Sequence, residues 1–125
     1  MDYTFLPGGG EGIMDCLFCK IARKEIPSAL VYEDDLMVAF RDINPVAPVH
    51  ILIVPKEHVE SLADLGEQHR ELAGHLLLKA REIAEREGIS ESGYRLVSNC
   101  RKDGGQEIYH LHFHLIGGKR LGKFA

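Results

Sequence analysis

A stretch near the C-terminus decides the fold, and it reads His110-Leu111-His112-Phe113-His114-Leu115-Ile116. Histidine and a large apolar residue alternate strictly across it, which is the period-two pattern of a half-buried β-strand. In such a strand Leu111, Phe113 and Leu115 pack inward, and the three histidines share the other face. Neighbouring histidines then lie about 7 Å apart and the outer two about 13 Å apart. The imidazoles are therefore predicted to line a surface or cleft separately, because this spread is too wide for one shared metal ion.

A glycine-rich turn precedes the histidines and reads Asp103-Gly104-Gly105-Gln106. Glycine allows backbone amides to approach an anion closely. Imidazoles on a rigid strand beside such a turn indicate phosphate chemistry. The alternative is a polar strand face that happens to use histidine, but three of the chain's seven histidines in strict alternation disfavour it.

The remaining pattern predicts an α+β domain with a five-stranded antiparallel sheet, because strands and helices do not alternate as βαβ units. We expect strands at 30–33, 36–40, 50–55, 94–98 and 108–116. The segment 50–55 is predicted to be a central strand, because it is too apolar for an edge of the sheet. A short N-terminal helix is predicted at 16–24 and one long helix at 67–87. The buried stripe of the long helix comprises Leu72, Leu76, Ala80, Ile83 and Ala84, while His69 and His75 are expected to be solvated.

Composition narrows the class of protein. The 125 residues predict one domain at 14–125 after a disordered tail at 1–13, which contains Pro7-Gly8-Gly9-Gly10 and shows no periodicity. With 15 Lys and Arg against 19 Asp and Glu, and no basic stripe, nucleic acid is not an expected partner. No run is apolar enough to span a bilayer and no signal peptide opens the chain, so we expect no membrane partner and a cytoplasmic location.

The histidine row and its approach closely resemble the histidine triad (HIT) family, and within it the Hint branch of nucleoside phosphoramidases. The similar positions include Gly93-Tyr94-Arg95, Asn99 and Gly104-Gly105-Gln106, and the resemblance extends over nearly everything between Cys16 and Gly118. It implies a HIT-like fold, with the sheets of two subunits joined in a homodimer through the long helix and an adjoining strand.

The resemblance also implies an activity, the hydrolysis of purine nucleoside 5′-phosphoramidates. In this interpretation His112 attacks the α-phosphorus to give a nucleotidyl-histidine, and His114 and His50 donate hydrogen bonds to the phosphoryl group. Histidine suits this chemistry because its pKa of about 6.5 leaves the neutral, nucleophilic ring available at cellular pH. No catalytic metal is required.

Other residues are assigned to the nucleotide by the same resemblance. Asp42 matches the carboxylate that accepts hydrogen bonds from the ribose hydroxyls. The charged side chain of Glu107 can turn away from the phosphate, so that only its backbone amide contacts the phosphate. The route by which the leaving group is protonated therefore stays open. The remaining phosphate positions are Asn99, Gly105 and Gln106, and the apolar walls around the purine are Phe18, Ile21, Ile26, Phe40 and Ile43.

The pair Cys16 and Cys19 forms a Cys-x-x-Cys motif, which alone can bind metal, act as a redox pair or simply pack. An odd total of three cysteines argues against a disulfide framework, and the absence of a βαβ pattern argues against a thioredoxin-like motif. HIT proteins with this pair use two histidines that match His58 and His110, so the resemblance implies a structural zinc ion on these four ligands.

Three alternatives remain open at the level of sequence. Dinucleoside polyphosphate hydrolysis and nucleotidyl transfer are related reactions within the family. A metal-dependent hydrolase would instead use the triad histidines to bind a reactive ion. A nucleotide-binding scaffold protein would hydrolyse its ligand only incidentally.

Overall fold

The computed structural model describes residues 16–123, so the predicted tail at 1–13 and the domain boundary at 14 lie outside the described residues. Two 3₁₀ turns, Leu62–Asp64 and Glu67–His69, precede the long helix. None of the helices in the described part of the chain has the length and apolar content for a membrane span. The principal elements are α1 (Leu17–Ala22), β1 (Leu30–Glu33), β2 (Met37–Arg41), β3 (Val49–Pro55), α2 (Arg70–Arg86), β4 (Tyr94–Val97) and β5 (Phe113–Gly117).

The five strands form one antiparallel sheet in the order β1-β2-β3-β5-β4, which confirms the predicted α+β architecture. Strand β3 is central, as its sequence predicts, because it is buried along almost its whole length between β2 and β5. Strand β4 lies at one edge of the sheet.

Helices cover both faces of the sheet. On one face Ile51 packs in a cluster with Leu76 of α2. On the other face Leu52 packs in a second cluster with Phe18 of α1. Consecutive residues of a strand point to opposite faces, so β3 contributes to both clusters. The fold is thus a sheet with a long helix on one side and a short helix on the other.

The histidine stretch differs from its prediction. Strand β5 begins only at Phe113, and the preceding segment is held by other contacts, among them a 2.6 Å hydrogen bond from the Leu111 amide to the Val59 carbonyl. Leu111 and Leu115 pack toward α2 as predicted. The opposite face is also covered: His110 is 0% exposed and His112 is 7% exposed. The strand therefore covers only the C-terminal part of the predicted run 108–116, and the histidine face is covered in part by Phe18 of α1.

Helix α2 shows the predicted buried stripe, and Gly88, with φ of 77°, follows its C-terminus. His69 is buried rather than solvated, because its Nδ1 accepts a 2.9 Å hydrogen bond from the Gly66 amide at the entry to the helix. His75 is half-buried, with Nε2 lying 2.6 Å from Asp34 in the β1–β2 turn.

Candidate functional site

A cleft of about 370 Å³ opens on the α1 face of the sheet, where the chain enters β5. Residues from α1, the loop after β2, strand β3, the glycine-rich turn and the histidine stretch meet here because the central strands bring them to one face. The lining comprises Phe18, Asp42, Asn44, Leu52, Asn99, Gly105, Glu107, Ile108, His112 and His114.

His112 is held in one tautomer by the backbone. Its Nδ1 lies 2.7 Å from the carbonyl oxygen of His110. A carbonyl can only accept, so Nδ1 carries the proton and Nε2 keeps its lone pair. Burial lowers the pKa of His112, against the opposing effects of this hydrogen bond and of the charges on Asp42 and Glu107. The ring is therefore a neutral imidazole with its nucleophilic nitrogen free of a proton.

His50 and His114 form a directed chain of hydrogen bonds. The Val46 amide donates to Nδ1 of His50 over 3.2 Å, so the His50 proton is on Nε2. This Nε2 lies 2.9 Å from Nδ1 of His114 and donates to it, which places the His114 proton on Nε2. Burial, and to a smaller extent the His112 and His50 rings, lowers the pKa of His114 to about 4. The chain thus ends in a neutral N–H donor on a cleft-lining histidine.

Asp42 is buried between this chain and the following loop. Its Oδ1 accepts a 2.8 Å hydrogen bond from the Asn44 amide, and its Oδ2 lies 3.5 Å from Nε2 of His50. These contacts fix the carboxylate at the cleft wall. Together with His50 and His114 it also forms a group whose potential ligand atoms lie within 4.8 Å of one another.

The five apolar residues assigned to the base do not all reach the cleft. Phe18 lines it, and Phe40 packs beneath Phe18 with ring centroids 5.6 Å apart. Ile21 and Ile26 line a neighbouring hollow of about 230 Å³. Ile43 is 48% exposed on the loop after β2. The structure therefore places four of these side chains in or around α1, leaves Ile43 outside that group, and brings only Phe18 into the cleft lining.

The glycine-rich turn has a conformation that requires glycine. Gly105 has φ of 79°, and a Cβ at Gly104 would lie 2.5 Å from the Cys100 carbonyl oxygen. Gln106 is buried outside the cleft lining, where its amide group accepts from the Arg101 amide at 2.7 Å and donates to the Glu60 carbonyl at 2.6 Å. Gln106 thus holds the turn in place.

Glu107 lies at the cleft wall rather than away from it, and its charge acts on His112. The cleft also contains three residues that the sequence analysis did not single out, namely Asn44, Leu52 and Ile108. Leu52 could have been found from its period-two relation to His50, because both point to the same face of β3. The other two lie in loops, whose side-chain directions have no such period.

The second cluster brings Cys16, Cys19, His58 and His110 together, with their potential ligand atoms all within 4.8 Å of one another. Nδ1 of His110 lies 3.2 Å from both Cys16 Sγ and His58 Nδ1, and Cys19 Sγ lies 3.3 Å from His58 Nδ1. A tetrahedron with metal–ligand bonds of about 2.0–2.3 Å has edges of about 3.3–3.8 Å. The spacing of the four donors therefore fits a zinc ion.

Hydrogen bonding and burial agree with this fit. Nε2–H of His110 donates to the Pro55 carbonyl over 2.8 Å, which leaves Nδ1 without a proton and directed at the cluster. Burial lowers the pKa of His110 to about 4, so the ring is a neutral ligand. Burial, together with Cys16, raises the pKa of the Cys19 thiol to about 12, so metal binding there releases a proton.

Comparison with known proteins agrees with the geometry. The HIT domain model matches residues 23–121. The purine nucleoside phosphoramidase of Escherichia coli K12 is 51% identical over 108 residues, which are 86% of this chain and 91% of that protein. A 14 kDa zinc-binding protein of Zea mays is 50% identical over 107 residues, covering 84% of this chain and 83% of its own.

A solved structure shows the same fold. The histidine triad protein of Clostridium difficile superimposes with a TM-score of 0.86 at 49% identity, covering 90% of this chain and 97% of that one. The matched family model covers most of the chain and includes Asp42, His50 and His114 as well as the two histidines of the second cluster, while Cys16 and Cys19 precede its first matched residue. The chain therefore belongs to the HIT domain family.

Proposed function

We propose that the protein hydrolyses purine nucleoside 5′-phosphoramidates through a covalent nucleotidyl intermediate on His112. One observation carries the proposal: the 2.7 Å hydrogen bond from His112 Nδ1 to the His110 carbonyl, which leaves Nε2 as an unprotonated nucleophile in the cleft. The name of the E. coli relative, at 51% identity, supports the choice of substrate class.

The reaction takes place in two displacements. Nε2 of His112 forms a bond to the α-phosphorus, the P–N bond to the amine breaks, and the departing nitrogen takes a proton from solvent, to which the attacking water of the second step returns one. Water then attacks the same phosphorus, the bond to His112 breaks, and a nucleoside 5′-monophosphate leaves. The His110 carbonyl supports the positive charge that the ring acquires while it is bonded to phosphorus. The intermediate replaces one difficult step with two easier ones.

The His50–His114 chain supplies a donor for the phosphoryl oxygens. Because the Val46 amide fixes the tautomer of His50, and His50 fixes that of His114, the Nε2–H of His114 is oriented before substrate binds. A preoriented donor stabilises developing negative charge without the cost of reorganisation. Asn99 and Gly105 also line the cleft and are proposed to contact the phosphate. The Gly105 amide donates to the Lys102 carbonyl over 3.0 Å, so Gly105 contributes mainly the close approach that a residue without a side chain allows.

The nucleoside is held by different groups. The carboxylate of Asp42 accepts hydrogen bonds from the 2′ and 3′ hydroxyls, and the ring of Phe18 packs against the base. Ile21, Ile26 and Phe40 extend the apolar surface around Phe18, and Ile43 on the loop after β2 is proposed to contact the base from its exposed position. Apolar walls read the edges of a base poorly, so we expect a purine preference without sharp choice between adenine and guanine.

Glu107 and Gln106 have supporting parts in this proposal. The Gln106 side chain holds the glycine-rich turn in place, which keeps Gly105 at the cleft where the phosphate is proposed to bind. The Glu107 carboxylate at the cleft wall favours a positively charged His112 ring, as formed in the intermediate.

We further propose that Cys16, Cys19, His58 and His110 hold one structural zinc ion per chain. The tetrahedral spacing of the donors and the name of the Zea mays relative support this. When bound, zinc would fix α1 to the loop after β3. Elemental analysis of protein purified with zinc present tests the site: one zinc per chain is expected, and protein without metal would contradict it.

A homodimer is the proposed assembly. Strand β4 is an edge strand with Tyr94 exposed, and α2 exposes Leu77 and Leu78 beyond its buried stripe. Pairing of β4 with its counterpart would join two sheets and cover these leucines.

The three cysteines are all free thiols, which agrees with a reducing, cytoplasmic location.

Steady-state kinetics on three substrates tests the reaction. We expect kcat/KM to be highest for adenosine 5′-phosphoramidate, and lower for diadenosine polyphosphate and for a nucleoside diphosphate-sugar. A higher value for either of the latter two would favour the dinucleoside polyphosphate hydrolase or the nucleotidyl transferase. Tight AMP binding without turnover of any of them would instead indicate a nucleotide-binding scaffold.

A further inference from the structure

The cysteine–histidine cluster and the cleft share one residue. The imidazole of His110 belongs to the cluster, with Nδ1 lying 3.2 Å from Cys16 Sγ. Its backbone carbonyl belongs to the cleft, because it accepts the hydrogen bond from Nδ1 of His112. A displacement of the His110 ring is therefore transmitted over a few bonds to the group that fixes the tautomer of His112.

Phe18 connects the two sites a second time. It lies between Cys16 and Cys19 in the sequence, is 1% exposed, and forms part of the cleft lining. Its ring meets the rings of His110 and His112 edge-on, with centroid distances of 6.0 Å and 4.9 Å. The two cysteines thus determine the position of this ring, and the ring in turn contacts His112 and lines the cleft in which the substrate is proposed to bind.

The element that carries Phe18 depends on outside support. Helix α1 has six residues, which is too short to be stable by itself. A 3.4 Å hydrogen bond from the Cys19 amide to Cys16 Sγ caps its first turn, so one cluster member also begins the helix. Bonds from Cys16 and Cys19 to a metal that is also held by His58 and His110 would fix α1, and their loss would release the helix together with Phe18.

We infer that occupancy of the Cys16–Cys19–His58–His110 cluster by zinc governs nucleotide binding in the cleft, with Phe18 and His110 as the positioning residues that connect the two sites. The inference rests on the proposed function, since it takes the cleft to be a nucleotide site. The coupling must be reciprocal, because two ligands that affect one another's binding do so by the same factor.

Two binding measurements on the full chain test the coupling. The first is the Kd of AMP, determined by calorimetry for the zinc-loaded and the metal-stripped protein. The second is the Kd of zinc, determined by competition with a chromophoric chelator, with and without saturating AMP. Zinc is expected to tighten AMP binding at least about five-fold, and AMP should tighten zinc binding by the same factor.

Equal AMP affinity in both forms would overturn the inference alone. Failure of both forms to bind AMP would overturn the proposed function and this inference with it.

A pair of variants within the Cys-x-x-Cys motif tests the route. Phe18→Leu leaves all four ligands in place, and Leu17→Ala is the matched control, because Leu17 lies outside the cleft lining. We expect Phe18→Leu to retain zinc binding and to lower the coupling factor below its native value, since only the connection through His110 remains, and we expect Leu17→Ala to keep the native factor. A native coupling factor in Phe18→Leu would overturn the role of Phe18.

Nuclear magnetic resonance of the histidine rings tests the connection through His110 with a signal that does not depend on the global stability of the protein. In ¹⁵N-labelled protein the Nδ1–H signal of His112 should be sharp in the zinc-loaded form, since its proton is held by the His110 carbonyl. On removal of zinc it should broaden through exchange with water while signals from α2 residues stay unchanged. An identical His112 signal in both forms would contradict transmission through His110.

Discussion

At the scale of single residues, three histidines with the same side chain differ in the backbone groups that they contact. His110 donates to the Pro55 carbonyl, His112 donates to the His110 carbonyl, and His50, which holds His114, accepts from the Val46 amide. Each contact selects one tautomer, and these tautomers suit the proposed roles of a metal ligand, a nucleophile and a hydrogen-bond donor. The alternating pattern predicted a function for the histidines at 110, 112 and 114, and the family resemblance added His50. Neither contains information on tautomers, because these depend on groups that the alternation does not specify.

Asp42 offers a test at the same scale. Asp42→Asn removes the negative charge proposed to accept the ribose hydroxyls, and hydrogen bonds to a charged group contribute about 1.5–3 kcal/mol. The KM for adenosine 5′-phosphoramidate should therefore rise roughly ten-fold or more, with a smaller change in kcat, because the ribose contacts are present in both ground and transition states. Asp35→Asn, on the exposed β1–β2 turn, is the control and should leave both constants unchanged. An unchanged KM in Asp42→Asn would place the ribose elsewhere.

At the scale of elements, α1 decides what the histidine stretch becomes. Strict alternation predicts a strand with one apolar face, and β5 does have this form from Phe113 onward. The pattern does not show that a six-residue helix covers the histidine face, since a polar residue that is buried and hydrogen-bonded has the same spacing as an exposed one. Gln106 is a second case: its sequence position suggested a phosphate contact, and its buried side chain braces the turn.

The junction between the β1–β2 turn and α2 has a measurable pH dependence. Burial alone would raise the pKa of Asp34, but hydrogen bonds from Tyr32, His75 and the amides of Leu36 and Met37 lower it to about 2. A carboxyl whose pKa is lower in the folded state stabilises the fold above its unfolded pKa, and this contribution is lost as the pH falls from about 4 to about 2.

Asp34→Asn should therefore destabilise the protein by about 1–2 kcal/mol at pH 7, less than the full pKa shift would give because the side chain is partly exposed. The difference from the native protein should shrink as the pH falls below about 4. Urea denaturation at several pH values measures this, and Asp35→Asn should stay within about 0.5 kcal/mol of the native protein. A difference that is constant with pH would contradict the assigned pKa.

At the scale of the whole molecule, the candidate sites and the main apolar core lie on opposite sides of the sheet. The α1 side contains the cleft and the cysteine–histidine cluster, and the α2 side contains the larger apolar core. Element order, sheet type and the buried stripe of α2 were predictable because they follow from hydrophobic periodicity. Only the family resemblance implied the cluster of Cys16, Cys19, His58 and His110. Its formation depends on packing between segments that are far apart in sequence.

The proposed homodimer is tested on the outer face of α2. Leu77→Glu with Leu78→Glu places two charges where the interface is expected, on side chains that are 50% and 60% exposed. The native protein should sediment as a dimer at micromolar concentration, and the double variant should sediment as a folded monomer with unchanged circular dichroism. Leu62→Glu, on a 3₁₀ turn and 45% exposed, is the control and should remain dimeric. A native protein that sediments as a monomer would contradict the proposal.

The claim that His112 forms the covalent intermediate is tested most directly by mass spectrometry of protein quenched during turnover of adenosine 5′-phosphoramidate. We predict an adenylyl adduct on the peptide that contains His112, labile in acid and stable in base, as expected for a phosphorus–nitrogen bond. His112→Ala should lack both the adduct and turnover while still binding AMP, because the ribose and base contacts lie on other residues. Near-native turnover by His112→Ala, or a rate that follows the concentration of added divalent metal, would contradict the covalent-histidine mechanism.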